Sequence, residues 1–188
     1  MDKKYLSLEE SVGLIDEPNR SKCFSVWSDN QDLFDKALGS KTKHQAWVGG
    51  YRDHVVETMN FARLFYDSLS STGRVLPFSL SDSLLVMFLH DIEKPFKQAR
   101  RELGLEDRSG VKDEVKIKSF KEELIKNYNF ILSDDHLNAL RYVEGENKDY
   151  HPINRVMNEL AAFCHMCDIW SARGWHDYPK KDDHWKKD

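Results

Sequence analysis

The run Leu84-Leu85-Val86-Met87-Phe88-Leu89 ends in His90-Asp91, and that junction constrains the fold more than any other part of the chain. A helix that is apolar almost all round has to be surrounded by other helices, so the segment from Ser79 to His90 is expected at the centre of the molecule. The serines of Ser79–Ser83 and Asp82 supply its N-terminal cap. Its far end then carries an imidazole and a carboxylate into the interior. An unpartnered carboxylate there costs several kcal/mol and is relieved by a proton, a paired charge or a metal.

The remaining segments read as helices arranged around it. Val55, Thr58, Ala62, Phe65 and Leu69 recur at three- and four-residue intervals after the turn Gly49-Gly50, with Arg52, Asp53, Asn60, Arg63 and Asp67 on the other side. A short helix is expected from Asn30 to Leu38, stopped by Gly39, after a mixed N-terminal stretch broken near Glu17-Pro18-Asn19. Pro95 is expected to end or kink the central helix. A loop from Phe96 to Asp113 then follows, rich in Lys97, Arg100, Arg101 and Arg108 and suited to a lid or phosphate clamp. Further helices are expected over Asp113–Tyr128, Ser133–Val143 and Ile153–Ala172. No stretch alternates at period two long enough for a strand. The fold class is therefore all-α, with one domain over residues 1–174 and a polar tail over 175–188.

The 188 residues suffice for one core, and a net charge of −4 with 32% charged residues does not suit a dedicated nucleic-acid binder. Three cysteines without a disulfide-framework pattern suit a reducing compartment. The N-terminus lacks the apolar stretch of a secretory signal, and the longest apolar run is far short of the ~20 residues of a membrane span. These features predict a soluble cytoplasmic protein with no membrane partner; its oligomeric state is open.

Two other segments are built to deliver ligands to the doublet. Gly49-Gly50-Tyr51-Arg52-Asp53-His54 opens one helix, and Asp168 shares the apolar face of another with Met157, Ala161 and Cys164. His54, His90, Asp91 and Asp168 form a mixed N/O donor set that suits Mn, Co, Zn, Fe or Ni better than Mg or Ca. Lys94, one turn beyond Asp91 on a continuing helix, can aim its ammonium at that site or at a phosphate. Cys164-His165-Met166-Cys167 has a CxxC spacing but no second CxxC, so its cysteines are read as core.

This ordered set, with Leu89-His90-Asp91-Ile92-Glu93-Lys94-Pro95 at its heart and Cys167-Asp168-Ile169-Trp170 downstream, resembles the HD-domain metal-dependent phosphohydrolase superfamily. The resemblance covers about residues 43–173. It implies a compact helical bundle of the HD-domain type, a divalent ion on the four side chains, and hydrolysis of a phosphate ester or anhydride. Asp91 and Lys94 are then the candidate catalytic residues, with Asp91 or Asp168 orienting the attacking water. Some nucleotidases of the family have a glutamate where this chain has Lys94, so the proton donor stays unassigned. The cyclic-dinucleotide phosphodiesterases keep a lysine there but recruit more histidines for a second metal. His136 and His151 are the candidates for such a second metal, with His44 behind them.

The substrate implied is a small nucleotide or another phosphoester. Lys97, Arg100, Arg101 and Lys148 are candidate phosphate contacts, His44, Trp47 and His151 further substrate contacts, and Trp47, Phe96 and Trp170 offer faces for a base. Two other readings stand beside the hydrolase. One is a non-catalytic nucleotide-binding or regulatory protein on the same scaffold. The other is a diiron oxygenase, which needs extra histidine ligands although none occurs between Ile92 and Asp135.

Overall fold

In the computed structural model, residues 5–103 and 113–174 are described, with side chains described outside 113–119. Arg108 and the 175–188 tail of the sequence reading lie outside them. The described chain is all helical, with α1 Leu8–Val12, α2 Asn19–Asp29, α3 Gln31–Lys36, α4 Gly50–Ser70, α5 Leu80–Leu89, α6 Lys94–Glu102, α7 Asp113–Asn127, α8 Asp134–Tyr142 and α9 Glu159–Arg173. None of these helices is long and apolar enough to cross a membrane.

The apolar run does what its composition demands. Leu84 through Leu89 are at most 2% exposed, and each such side chain contributes roughly 1.5–3 kcal/mol on burial. The helix starts where a capping box satisfies its free N–H groups: the Asp82 N–H donates to Ser79 Oγ at 3.1 Å, and the Ser79 N–H donates to Asp82 Oδ2 at 2.8 Å. α4 and α9 pack on α5 and on each other, forming a three-helix centre. α1 and α8 flank α5, while α3 lies against α4 and α6.

Three local expectations are corrected. The N-terminal stretch, expected to be mixed, contains α1 and α2, and the Ser7–Glu10 capping box starts α1. α5 stops at a turn over His90–Glu93, and Pro95 does not break it but sits in the first turn of α6, where its missing N–H costs nothing. Lys97, Arg100 and Arg101 are thus on a helix, not in a loop. α9 begins at Glu159 instead of Ile153, because Asn158 Oδ1 accepts the Ala161 N–H at 2.7 Å and fixes the start there. Met157 consequently lies outside the helix that carries Asp168. Asn60, on the other side of α4, is buried: its side chain pairs with both backbone polar groups of Leu6, each at 2.9 Å, and ties Leu6 to α4.

The turn before α4 is held by close backbone approach. The Gly39 N–H donates to the Gln45 carbonyl at 3.0 Å, and a Cβ on Gly50 would lie 1.9 Å from that same oxygen. Gly50→Ala is therefore expected to cost about 3 kcal/mol or more. Gly73→Ala, at a positive φ with open space around it, is expected to cost only about 1–2 kcal/mol. Urea unfolding of the two variants checks the order; equal losses would mean that the Gln45 carbonyl is not fixed against Gly50.

Candidate metal centre

α4, α5 and α9 each bring ligand-type side chains to one buried point. His54 lies in the second turn of α4, His90 caps the C-terminal end of α5, and Asp168 faces inward from the middle of α9. His54 Nε2 and His90 Nε2 are 3.2 Å apart. Asp168 Oδ1 is 3.1 Å from the first and 3.7 Å from the second. Asp91 Oδ2 lies 3.7 Å and 3.3 Å from the same two nitrogens. Lys94, the first residue of α6, closes an ion pair with Asp91 and also donates to the Gly39 carbonyl at 3.3 Å.

The other nitrogen of each ring settles the tautomers. His90 Nδ1 is 2.6 Å from the Met87 carbonyl, which can only accept, so this nitrogen carries a proton. His54 Nδ1 is 3.0 Å from Ser171 Oγ, whose single proton is given to Glu57 Oε2 at 2.6 Å. His54 Nδ1 therefore donates too. In their neutral forms both rings aim Nε2 lone pairs at one point, next to two carboxylates, which is the arrangement of a cation site. The buried group His54, His90 and Asp168 could hold a metal ion, and the Asp91 carboxylate lies beside it, 3.3 Å from His90 Nε2.

Without an ion, a proton takes that role. Burial pulls His54 down to about 4 against the opposing pull of Asp168. Burial also acts on His90, but the charge and hydrogen bond of Asp91 outweigh it, so this imidazole stays protonated above the ordinary histidine range. Burial would raise Asp91, yet His90 and Lys94 hold it well below the usual carboxylate range. Asp168 is likewise lowered, its closeness to His54 and the charge on His90 prevailing over burial. Lys94 is held protonated because Asp91 more than offsets its burial.

The remaining sequence candidates separate clearly. His44 lies beside His54, with ring centroids 4.9 Å apart and planes tilted by 54°, and its Nδ1 lies 2.9 Å from Gln45 Oε1. The Trp47 indole N–H donates to Asp53 Oδ2 at 2.8 Å, which holds the ring near the α4 start. Lys97 is drawn to Glu93 at 3.6 Å, and Arg100, Arg101 and Lys148 are exposed. Phe96 packs on Phe120, while Trp170 lies half exposed on the outer side of α9. The two proposed second-metal ligands are engaged elsewhere. His136 completes the capping box of α8 and faces Asp82 at 3.1 Å, and His151 accepts the N–H groups of Ile153 and Asn154 in an exposed turn. Cys164 and Cys167 are buried free thiols, as expected of core residues.

Sequence reading missed three residues at the centre: Gln45, Glu57 and Ser171. Glu57 and Ser171 each lie three residues from a ligand, at His54 and Asp168, and that spacing is the signal that could have found them.

The chain matches no protein-family model, no curated protein and no solved structure. What it does must be argued from the chemistry of this site.

A metal held by this group would compete with the proton on His90. Because the pKa of that imidazole is raised, protons compete from above the ordinary value of about 6.5 downward, and metal affinity is expected to fall as pH drops through that range. Calorimetric titration with Zn or Mn in buffers of different ionisation enthalpy should show proton release near neutrality. Affinity unchanged from about pH 8 to about pH 5.5 would rule out His90 as a ligand.

Proposed function

We propose that this chain is a metal-dependent phosphohydrolase of the HD-domain type, acting on a phosphate ester or anhydride of a small nucleotide. The observation that carries the reading is the convergence of two histidine Nε2 atoms, 3.2 Å apart, on a point flanked by Asp91 and Asp168 and capped by Lys94. Two imidazoles with two carboxylates favour Mn, Co, Zn, Fe or Ni over a purely oxygen-seeking ion. One such ion is the proposed cofactor.

Charge supports an anionic substrate. Asp91 and Asp168 are ionised and Lys94 is protonated, so these three leave a single negative charge, which a divalent cation converts to a single positive one. A bound divalent ion would supply an acidified water and a polarised phosphoryl oxygen. His54, His90, Asp91 and Asp168 would hold it, their rings locked by Ser171 and the Met87 carbonyl. Either carboxylate can accept a hydrogen bond from the attacking water and orient it. The Lys94 ammonium stabilises charge building on the phosphoryl oxygens. His44 borders the site and, with its Nδ1 proton given to Gln45, offers Nε2 to a substrate group. Trp47, fixed by Asp53 next to His54 in the chain, is the proposed face for a base to stack on.

The diiron oxygenase loses support because His136 faces Asp82 in the first turn of α5, at the end of that helix opposite His90, and His151 sits in an exposed turn, so neither stands as a ligand beside His54 and His90. A cytoplasmic setting and free nucleotide substrates belong to the proposal.

The test is release of phosphate, pyrophosphate or triphosphate from ribo- and deoxyribonucleotides with each of these metals added. Turnover should require the metal and disappear in Asp91→Ala and Asp168→Ala. Lys94→Met should keep metal binding while kcat/KM falls by about 10²-fold. Metal bound without turnover on any phosphoester would leave the regulatory reading, and absence of metal binding would remove the hydrolase altogether.

A further inference from the structure

Behind His54 lies a sealed polar network, reaching away from the point where the ligands meet. Ser171 Oγ donates to Glu57 Oε2 at 2.6 Å and receives the His54 Nδ1–H at 3.0 Å. The Gln45 amide joins them: its Nε2 donates to Glu57 Oε2 at 2.8 Å and to Ser171 Oγ at 3.1 Å. Its Oε1 faces His44 Nδ1 at 2.9 Å. Gln45, Glu57 and Ser171 are 7%, 6% and 2% exposed, so water does not replace these bonds.

The amide orientation is not free to reverse. With the NH₂ group toward Glu57 and Ser171, both amide protons meet acceptors, and the carbonyl meets a ring N–H. Turned over, the carbonyl oxygen would face a carboxylate oxygen and the NH₂ group would leave His44 Nδ1 as acceptor. The backbone is also committed: Gln45 has φ +42°, in the left-handed region, and its carbonyl accepts from Gly39 and Trp47 at 3.0 Å and 2.9 Å. A buried side chain held in a sparsely populated backbone region, with every polar atom of its amide used, has been fixed by its surroundings to one orientation.

We propose that Gln45, Glu57 and Ser171 are positioning residues that set the His54 tautomer and through it the metal affinity of the site. Ser171 accepts two hydrogen bonds only because Glu57 takes its proton, and that leaves His54 with Nδ1 protonated and Nε2 open. The carboxyl–hydroxyl–imidazole chain thus performs the task that a direct carboxylate–histidine bond performs elsewhere. The inference rests on the metal reading of His54, His90 and Asp168.

Metal-free protein gives the first readout. Long-range ¹H–¹⁵N spectra should show His54 as the Nδ1–H tautomer in the parent and as a tautomer mixture in Ser171→Ala. Titration with Zn alone should then show dissociation constants raised about 10–100-fold in Ser171→Ala and by a smaller factor in Glu57→Gln, which keeps the shape but not the charge. Ser171→Thr, which retains the hydroxyl, should recover most of the parent affinity. Cooperative thermal unfolding of each variant establishes that it is folded, and a network that merely ties the loop to α4 and α9 would change stability without changing tautomer or affinity. The proposal is overturned if folded Ser171→Ala and Glu57→Gln keep the parent's affinity, or if the His54 tautomer is unchanged. Failure of the underlying metal reading looks different: there the parent itself binds no Zn, or binds it equally well as His90→Ala.

Discussion

Two buried imidazole nitrogens facing each other across 3.2 Å, beside two carboxylates, cannot both remain bare lone pairs. Each ring has its Nδ1 proton committed elsewhere, to the Met87 carbonyl and to Ser171. Something positive must lie between them, and the architecture around them follows from accommodating it. Asp91 and Asp168 supply the compensating charge, and α4, α5 and α9 have to meet closely enough to deliver all four groups to one point. The central helix can be apolar throughout because its polar business is concentrated at its last turn.

The elbow after α5 serves the same end. By stopping at His90, α5 lets Asp91 turn toward His54 and His90 while the chain restarts as α6 with Lys94 in ion-pairing reach. Lys121 from α7 then donates to the His90 carbonyl, left without a helical partner at the end of α5, and lies 3.3 Å from Glu93. A helix C-terminus rich in unsatisfied carbonyls is stabilised by such a cation. The residues just past the doublet therefore hold its backbone, while the doublet's side chains face inward.

What was legible in the sequence depended on period and type. The buried run, the Ser79–Asp82 cap and the helical intervals of α4 state their structure locally, and the structure agrees with them. Ligand types could be read because an imidazole and a carboxylate on an apolar helix have few other uses. What could not be read were relations between distant segments. Nothing in Gln45 alone says that it bonds Glu57 and Ser171, because these partners lie 12 and 126 residues away. Pro95 misled for a related reason: a proline breaks a helix in its interior but begins one at its first turn, and only the turn at His90–Glu93 decides which applies. The later start of α9 likewise depends on Asn158, whose backbone N–H is held by Asn138 from α8.

Asp91 has two partners that compete for it. Without an ion, its carboxylate is shared between the His90 imidazolium and the Lys94 ammonium, and this pairing is what makes its burial tolerable. A divalent cation bound by His54, His90 and Asp168 would draw the same carboxylate toward itself and expel the proton from His90. Lys94 would then lose part of its hold on Asp91, while its side chain, 30% exposed, stays at the edge of the site. An ammonium released from its carboxylate but still partly desolvated is a stronger attractor for a phosphate than one already paired. With a metal held there, anion binding at Lys94 would be coupled to metal binding in the favourable direction through a single carboxylate, and the coupling would be reciprocal.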